Sequence, residues 1–322
     1  MNPFEWSTAV VWRVVQLGSL LWMGLWWGGC RWLGWPVWVA ILGVLWVLAL
    51  PGVSLAWQGV VAARTARQQG LPPLRAGVRL WAWALEWAWC LRVFGWQMPW
   101  RAQACPDTVQ SSPQRGVLLL HGHGCNRAFW LPWMRRLRAR GVPYASVSLQ
   151  PMLGDMDGYV PAVDAALQRL TALTGQAPLV LAHSKGGLVL RAWWRWARAQ
   201  ALQQGQDEAQ VLARVHAVIT LGSPHQGSVL AQGMQLPFAQ QMQPGSAWLQ
   251  AVAAAESPAW RARFLCVASD ADSVVFPASA AELPGAATRR LAGLAHVQLA
   301  FDPQVQALVW QALAAEPAHL PW

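Results

Sequence analysis

From residue 32 to residue 63 the chain carries no charged side chain, and residues 14–30 carry none either, so Arg31 alone interrupts a long apolar stretch. A helix rises 1.5 Å per residue, and a bilayer core about 30 Å thick takes roughly 20 apolar residues to cross. The second run exceeds that length; the first reaches it with its flanks. Pro36 suits the start of a helix, and Pro51-Gly52 stands near the expected far end. Two membrane-spanning helices are therefore expected, over about 9–30 and 36–58, with Trp32 and Trp35 at the interfacial turn. Residues 1–63 form the expected two-helix anchor. Of the 25 tryptophans, 16 lie in the first 100 residues, which sets this part off from the remainder. A soluble hairpin with so many large aromatics would need a partner to cover them. A cleaved signal peptide is the competing reading. It requires its positive end first, yet Glu5 precedes Arg13, and no small-x-small site closes the first run.

The arginines set the orientation. Arg13 flanks the first uncharged run on its N-terminal side, and Arg64, Arg67, Arg75 and Arg79 follow the second, so the positive-inside rule places both ends in the cytoplasm. The expected location is the inner membrane of a bacterium, with the remainder of the chain on its cytoplasmic face. A net charge of +10 suits an anionic leaflet as neighbour. The basic residues are scattered or juxtamembrane and no nucleic-acid motif accompanies them, so nucleic acid is not an expected partner. Residues 64–112 read as a juxtamembrane stretch. Within it, residues 80–100 form a tryptophan-rich helix expected to lie in the interface, and 101–115 a linker. A third span is the alternative; it would bury Glu86 at a cost of about 2.5–3.5 kcal/mol and move the rest of the chain across the membrane. Five cysteines (Cys30, Cys90, Cys105, Cys125 and Cys266) are an odd number without framework spacing, which argues against structural disulfides.

From residue 113 to 322 the pattern changes to short apolar runs separated by amphipathic segments. Strands are expected at 116–121, 143–149, 178–182, 215–221, 262–268 and near 287–292. Helices are expected at 127–140, 160–174, 185–202 and 303–315. Such alternation means a parallel sheet with helices on both faces and a ligand cleft at the carboxyl ends of the strands. Residues 228–256 break the alternation and read equally as a lid or as a plain connecting pair of helices.

Ala182-His183-Ser184-Lys185-Gly186-Gly187 joins one of these strands to a helix. Small residues two before and two after Ser184 leave the serine clear of its neighbours, at a helix start where backbone N–H groups favour developing negative charge. Upstream, Val117 to Leu120 runs into His121-Gly122-His123-Gly124. A glycine turn there lets the His123 N–H pair with that of Lys185 as an oxyanion hole; an ordinary strand-to-helix turn is the alternative. Downstream, the run from Phe264 ends in Asp270-Ala271-Asp272, followed by Ser273-Val274-Val275-Phe276-Pro277, and His296 precedes the last helix. The order is Ser, Asp, His.

Together with Leu221-Gly222-Ser223-Pro224-His225-Gln226-Gly227, Gln243-Pro244-Gly245-Ser246-Ala247-Trp248-Leu249 and Gly293-Leu294-Ala295-His296, these segments resemble the α/β-hydrolase superfamily, and within it the lipase and esterase branch. The resemblance covers residues 113–316. Ala182 stands where many members have glycine. It implies the α/β-hydrolase fold, a mostly parallel sheet flanked by helices, here preceded by a transmembrane helical hairpin. Ser184 would be the nucleophile, His296 the general base and Asp272 the acid that fixes the histidine tautomer. The family places its acid just before an apolar pair and a proline. Asp272 fits that spacing, and Asp270 reads as a turn cap.

The other histidines read as structural: His121 and His183 as ties between loops, His225 as ordering the loop after strand 215–221, and His216 and His319 without context. No metal-ligand spacing and no phosphate loop occurs, so neither metal nor organic cofactor is implied. Lys185, the one lysine beside 23 arginines, serves helix packing or local charge, or simply faces solvent. The expected activity is hydrolysis of carboxylic, lipid-like acyl esters by a membrane-anchored enzyme. An acyltransferase or thioesterase with the same triad is the rival enzyme; a membrane interaction module on a hydrolase scaffold is the rival non-enzyme.

Overall fold

Ser7 opens the first helix, α1 (Thr8–Trp32), by accepting a hydrogen bond from the Val10 N–H, one of the donors a helix start leaves free. The computed structural model describes residues 7–316 and 320–322; Glu5 and His319 lie outside them. A turn through Gly34 leads into α2 (Val37–Gln68), and both helices are long and apolar enough to cross a membrane. α2 runs past the expected end near residue 58 to Gln68, with Pro51 inside it. Proline removes one rung of the helix ladder. Next to the break, Trp83 of α3 (Ala76–Arg92) donates its indole N–H to the Gly52 carbonyl at 2.8 Å. The rings of Trp83 and Trp87 lie 3.2–3.3 Å from where a Gly52 Cβ would stand, so the missing side chain is what admits them.

The chain continues from α3 through a wide helical turn, Val93–Gln97, into Met98–Trp100. This stretch fastens the hairpin to the remainder. Arg13 donates to the Pro99 carbonyl at 2.7 Å, the Gln16 amide donates to the Gly95 carbonyl, and the Trp100 indole donates to Gln16 Oε1. On its other side Asn126 donates to the Met98 carbonyl, and Trp89 stacks on Phe301 with ring centroids 4.4 Å apart.

Six strands build one wholly parallel sheet: β1 (Val117–Leu120), β2 (Tyr144–Val147), β3 (Leu179–His183), β4 (Ala217–Leu221), β5 (Phe264–Ser269) and β6 (Ala287–Leu291). Their order is β2-β1-β3-β4-β5-β6. Residues of β1, β3, β4 and β5 are buried throughout, as parallel strands covered on both faces must be. The edge strand β6 instead exposes Arg289 and Arg290, which blunts pairing with another chain. Helices α4 (Leu131–Ala139), α5 (Val160–Thr174), α6 (Lys185–Gln203) and α7 (Pro303–Ala314) supply the layers. Side chains of α5 and α6 fill the core on one face. Those of α4 and α7 fill the other, which Val93 and Met98 complete. The stretch after α3 thus belongs to a core of the sheet. The expected helix 127–140 is split: Arg127–Trp130 is a tight 3-10 turn, and Pro132 falls in the first turn of α4, where its missing N–H costs nothing.

The strand order reverses direction between β1 and β3, since β1 leads outward to β2 and β3 leads the other way to β4. Ligands of open α/β sheets bind at such a switch point, beyond the carboxyl ends of the strands. Gly122 and His123 follow β1 there, and Ser184 follows β3. Residues 228–256 fold as a 3-10 turn and two short helices, Pro237–Gln241 and Ala247–Ala254. A buried ion pair fixes their far end: Arg191 of α6 donates to both Glu256 oxygens, at 2.5 and 3.0 Å, and to the His225 carbonyl at 2.9 Å.

Removing one partner of a buried pair strands the other charge. Glu256→Gln is expected to destabilise the protein by about 3 kcal/mol. The full chain in detergent should melt several degrees lower by thermal unfolding; an unchanged midpoint would contradict the role given to the pair.

Candidate active site

Ser184 bridges β3 and α6 with φ +53° and ψ −124°, and is the one non-glycine residue at positive φ among the described residues. That backbone costs about 1–3 kcal/mol and persists only where its surroundings impose it. They do so here: the Ser184 N–H donates to the Leu221 carbonyl at 2.9 Å, and the Gly187 N–H closes the helix start on the Ser184 carbonyl. A Cβ on Gly186 would lie 2.5 Å from the Leu120 carbonyl oxygen, which accounts for the small residue two places after the serine. The first N–H groups of α6 have no intrahelical partner, so a negative charge beside Ser184 would meet free donors and the positive end of the helix.

His296 stands at the start of a four-residue helix, His296–Leu299. Its Nδ1 donates to Asp272 Oδ2 at 2.7 Å, and both side chains are buried. Asp272 is fixed in turn by the N–H groups of Val274 and Val275, both 2.8 Å from Oδ1. Gly222 makes room for the pair: a Cβ there would lie 2.8 Å from Asp272 Oδ2. Asp270 does something else. It is exposed, and its Oδ1 accepts from the Gly293 N–H at 2.7 Å, a turn cap in the loop that carries His296. Ser184 and His296 border one cavity without a hydrogen bond between them. Such bonds commonly tighten only in the substrate complex.

Two residues outside the expected set hold the backbone of His296. His183 donates from Nε2 to the His296 carbonyl at 3.0 Å. Glu86, from α3, accepts from the Val297 N–H at 2.8 and 3.0 Å and from the Gln298 N–H at 3.2 Å. Glu86 is buried and borders the same cavity as Ser184 and His296. One sequence signal marks it: it is the lone acid in the tryptophan-rich stretch 76–92. There it reads as an obstacle to crossing a bilayer, and nothing in the sequence says that its partner lies some two hundred residues away.

Burial raises the Glu86 pKa to about 7, against the opposing pull of His296 and of its backbone donors. For His296 burial opposes the charged form, but Asp272, by charge and hydrogen bond, and then Glu86 outweigh it, so its pKa is raised. The other described histidines go the opposite way. Burial lowers His121 to about 3 and His123 to about 4, and lowers His183, His216 and His225 as well. His296 is therefore the described histidine equipped to take up a proton. His121 serves as a tie, bonded to the Gly122 carbonyl and to the Leu149 N–H. His225 bonds Thr220 at 2.9 Å beside β4.

The His123 ring stacks on Phe238 at 4.3 Å, and His123 borders the cavity. Lys185 follows Ser184, but its side chain does not face solvent, as one sequence reading had it. The ammonium is buried, donates to Tyr159 Oη at 3.1 Å and to the Met152 carbonyl at 3.4 Å, and lies over the Tyr159 ring. Burial lowers its pKa to about 8. Among the described residues no group of three or more His, Cys, Asp or Glu side chains could hold a metal ion.

The cavity measures about 740 Å³, within the usual range for small-molecule sites. Its floor holds Ser184 and His296. Residues 228–242 line it with Leu230, Met234 and Phe238, and α1, α2 and α3 line it as well.

No protein-family model matches the sequence, and no curated protein is significantly similar to it. Solved structures are similar in fold. The mature form of Bacillus licheniformis lipase BlEst2 superposes with a TM-score of 0.51 at 16% identity, over 65% of this chain and 96% of that one. Aspergillus fumigatus lipase B gives 0.53 at 14% identity, over 68% of this chain, which spans 59% of that lipase. The chain thus has the α/β-hydrolase fold, preceded by two long apolar helices.

The electrostatics order three substitutions. By histidine NMR of the full chain, His296 should titrate above the ordinary imidazole range. Asp272→Asn should lower that pKa most, Glu86→Gln should lower it less, and Asp270→Asn should leave it in place. An Asp270→Asn shift as large as that of Asp272→Asn would overturn the assignment of partners.

Proposed function

We propose that the protein is a membrane-anchored serine hydrolase that cleaves carboxylic esters with lipid-like acyl chains. The observation that carries the reading is the pairing of a serine in a strained turn at a helix start with a buried imidazole bonded to a carboxylate, both on one apolar cavity. The two structural relatives are described as lipases, which supports ester chemistry by likeness of fold.

Ser184 Oγ attacks the acyl carbon while His296 Nε2 takes its proton. Asp272 keeps Nδ1 protonated, so that Nε2 is the free base, and stabilises the imidazolium that forms. The N–H groups of His123 and Lys185 would bind the oxyanion. The proton then passes from His296 to the leaving alcohol, and an acyl–Ser184 ester remains. Water, deprotonated by the same imidazole, releases the acid and restores the serine. The raised pKa of His296 makes it a stronger base and sets the acidic limb of activity: below that pKa the ring is protonated and cannot accept the serine proton.

The hairpin of α1 and α2 is read as the anchor, in the inner membrane of a bacterium with the catalytic part cytoplasmic. The arginines flanking the hairpin and the charge of +10 support that orientation. The domains follow as 1–63 anchor, 64–112 juxtamembrane, and 113–322 catalytic. Glu86, bonded to residues 297 and 298, favours α3 beside the catalytic part over a third crossing.

Purified Ser184→Ala is expected to lose turnover of p-nitrophenyl esters while keeping its melting behaviour; undiminished turnover would remove the serine from the mechanism. Asp272→Asn should lose about 10⁴-fold in kcat, as loss of the tautomer-fixing acid does elsewhere. Asp270→Asn should lose far less, and the reverse order would reassign the acid. Reporter fusions after residues 79 and 110 should both give cytoplasmic signals. A periplasmic signal at 110 alone would mean that 80–100 crosses the bilayer.

A further inference from the structure

The cavity above Ser184 does not close over the catalytic part. It continues between the two hairpin helices. On α1 its lining runs from Trp12 to Met23, and on α2 from Val47 to Gln58. Along each helix the contributing residues recur at three- and four-residue steps, so a single stripe of each faces the groove: Val15, Leu20 and Met23 on α1, Val47, Leu48 and Leu55 on α2. Each stretch spans eleven steps of 1.5 Å, which makes a groove about 16 Å long. That is half of a bilayer core about 30 Å thick, the depth of one leaflet. The turn at Gly34 lies at the far end of both helices, so the groove occupies the half of the hairpin nearest Ser184.

Three features define its occupant. The walls are mostly apolar, and their polar side chains are engaged: Gln16 with the Phe94 and Gly95 carbonyls and the Trp100 indole, Ser19 with the Val15 carbonyl of its own helix, and Gln58 with Ser54 Oγ. Leu20 and Leu48 are 60% and 51% exposed, so the lips of the groove open sideways, toward where acyl chains lie if the hairpin spans. The inner end meets Ser184, His296 and the glycine turn at 122, the polar groups of the site. A chain about one leaflet long, apolar along its length and carrying an acyl ester at its end, fits this groove.

We propose that the groove between α1 and α2 binds the acyl chain of a membrane lipid still seated in its leaflet, so that substrate enters sideways and its ester carbonyl meets Ser184. The inference rests on the readings of Ser184 as nucleophile and of the hairpin as membrane-spanning, and adds a substrate class and a route. On this account the hairpin is a wall of the acyl site as well as a tether, and a lipid reaches the serine without its chain passing through water. A water-soluble short ester would use only the inner end.

The test uses the full chain in a phosphatidylcholine nanodisc and a hexadecyl fluorophosphonate with a diazirine at the far end of its chain. Ser184 Oγ bonds to phosphorus and fluoride leaves; irradiation then inserts the chain end into whatever touches it, and the cross-linked peptides are mapped by mass. The expected result is Ser184 modified and the larger share of cross-links within residues 15–23 and 47–55. Ser184 modified with cross-links confined to residues 228–242 would overturn the groove and leave the hydrolase reading standing. Absence of modification at Ser184 would overturn the hydrolase reading, and the groove proposal with it.

Discussion

The helix start that carries His296 is fastened from three sides, and the rest of the site depends on that fastening. Asp272 holds the ring, His183 holds the carbonyl, and Glu86 holds the next two N–H groups. Each tie comes from a different part of the chain: the loop after β5, the end of β3, and α3. The general base proposed at His296 must be placed to within a fraction of an ångström of the proton it takes. A loop alone does not give that precision; three buried polar contacts do. The strained Ser184 turn is held in the same manner, by Leu221 on the neighbouring strand and by the close approach of Gly186 to β1.

Burying Glu86 beside Asp272 is costly, since two carboxylates in a site of low polarity repel. The structure offsets the cost locally. Three hydrogen bonds reach Glu86, and the imidazole lies near both acids, so a proton on His296 relieves both. For the proposed chemistry the consequence is a stronger base. The consequence for architecture is that α3 cannot leave the catalytic part without exposing the backbone of residues 297 and 298. The tryptophan-rich segment, the sheet core it completes through Val93 and Met98, and the histidine are thus parts of one arrangement.

Much of this was legible in the residues. The alternation of apolar runs located all six strands within about two residues, because buried parallel strands leave little choice of composition. The proposed Ser184, Asp272 and His296 rest on local order, and the structure brings Asp272 and His296 into contact while Asp270 caps a turn. What could not be read is what depends on distant partners. Pro51-Gly52 signals a helix end nearby, yet α2 runs on to Gln68, with Trp83 and Trp87 of α3 packed on Gly52. Lys185 could be read as solvent-facing, and is buried on Tyr159 instead. Glu86 reads as a charge that keeps a helix out of the bilayer, and its role beside His296 emerges only from a contact across most of the chain. Propensity and periodicity are local, and these three outcomes are tertiary.

The most direct measurement is the site of covalent modification by a short alkyl fluorophosphonate, mapped by peptide mass in the native protein and in His296→Ala. One adduct is expected in the native protein, on Ser184, and its loss is expected when His296 is removed. An adduct on another residue, or equal labelling of Ser184 without His296, would contradict the account of a serine activated by a buried, carboxylate-held histidine.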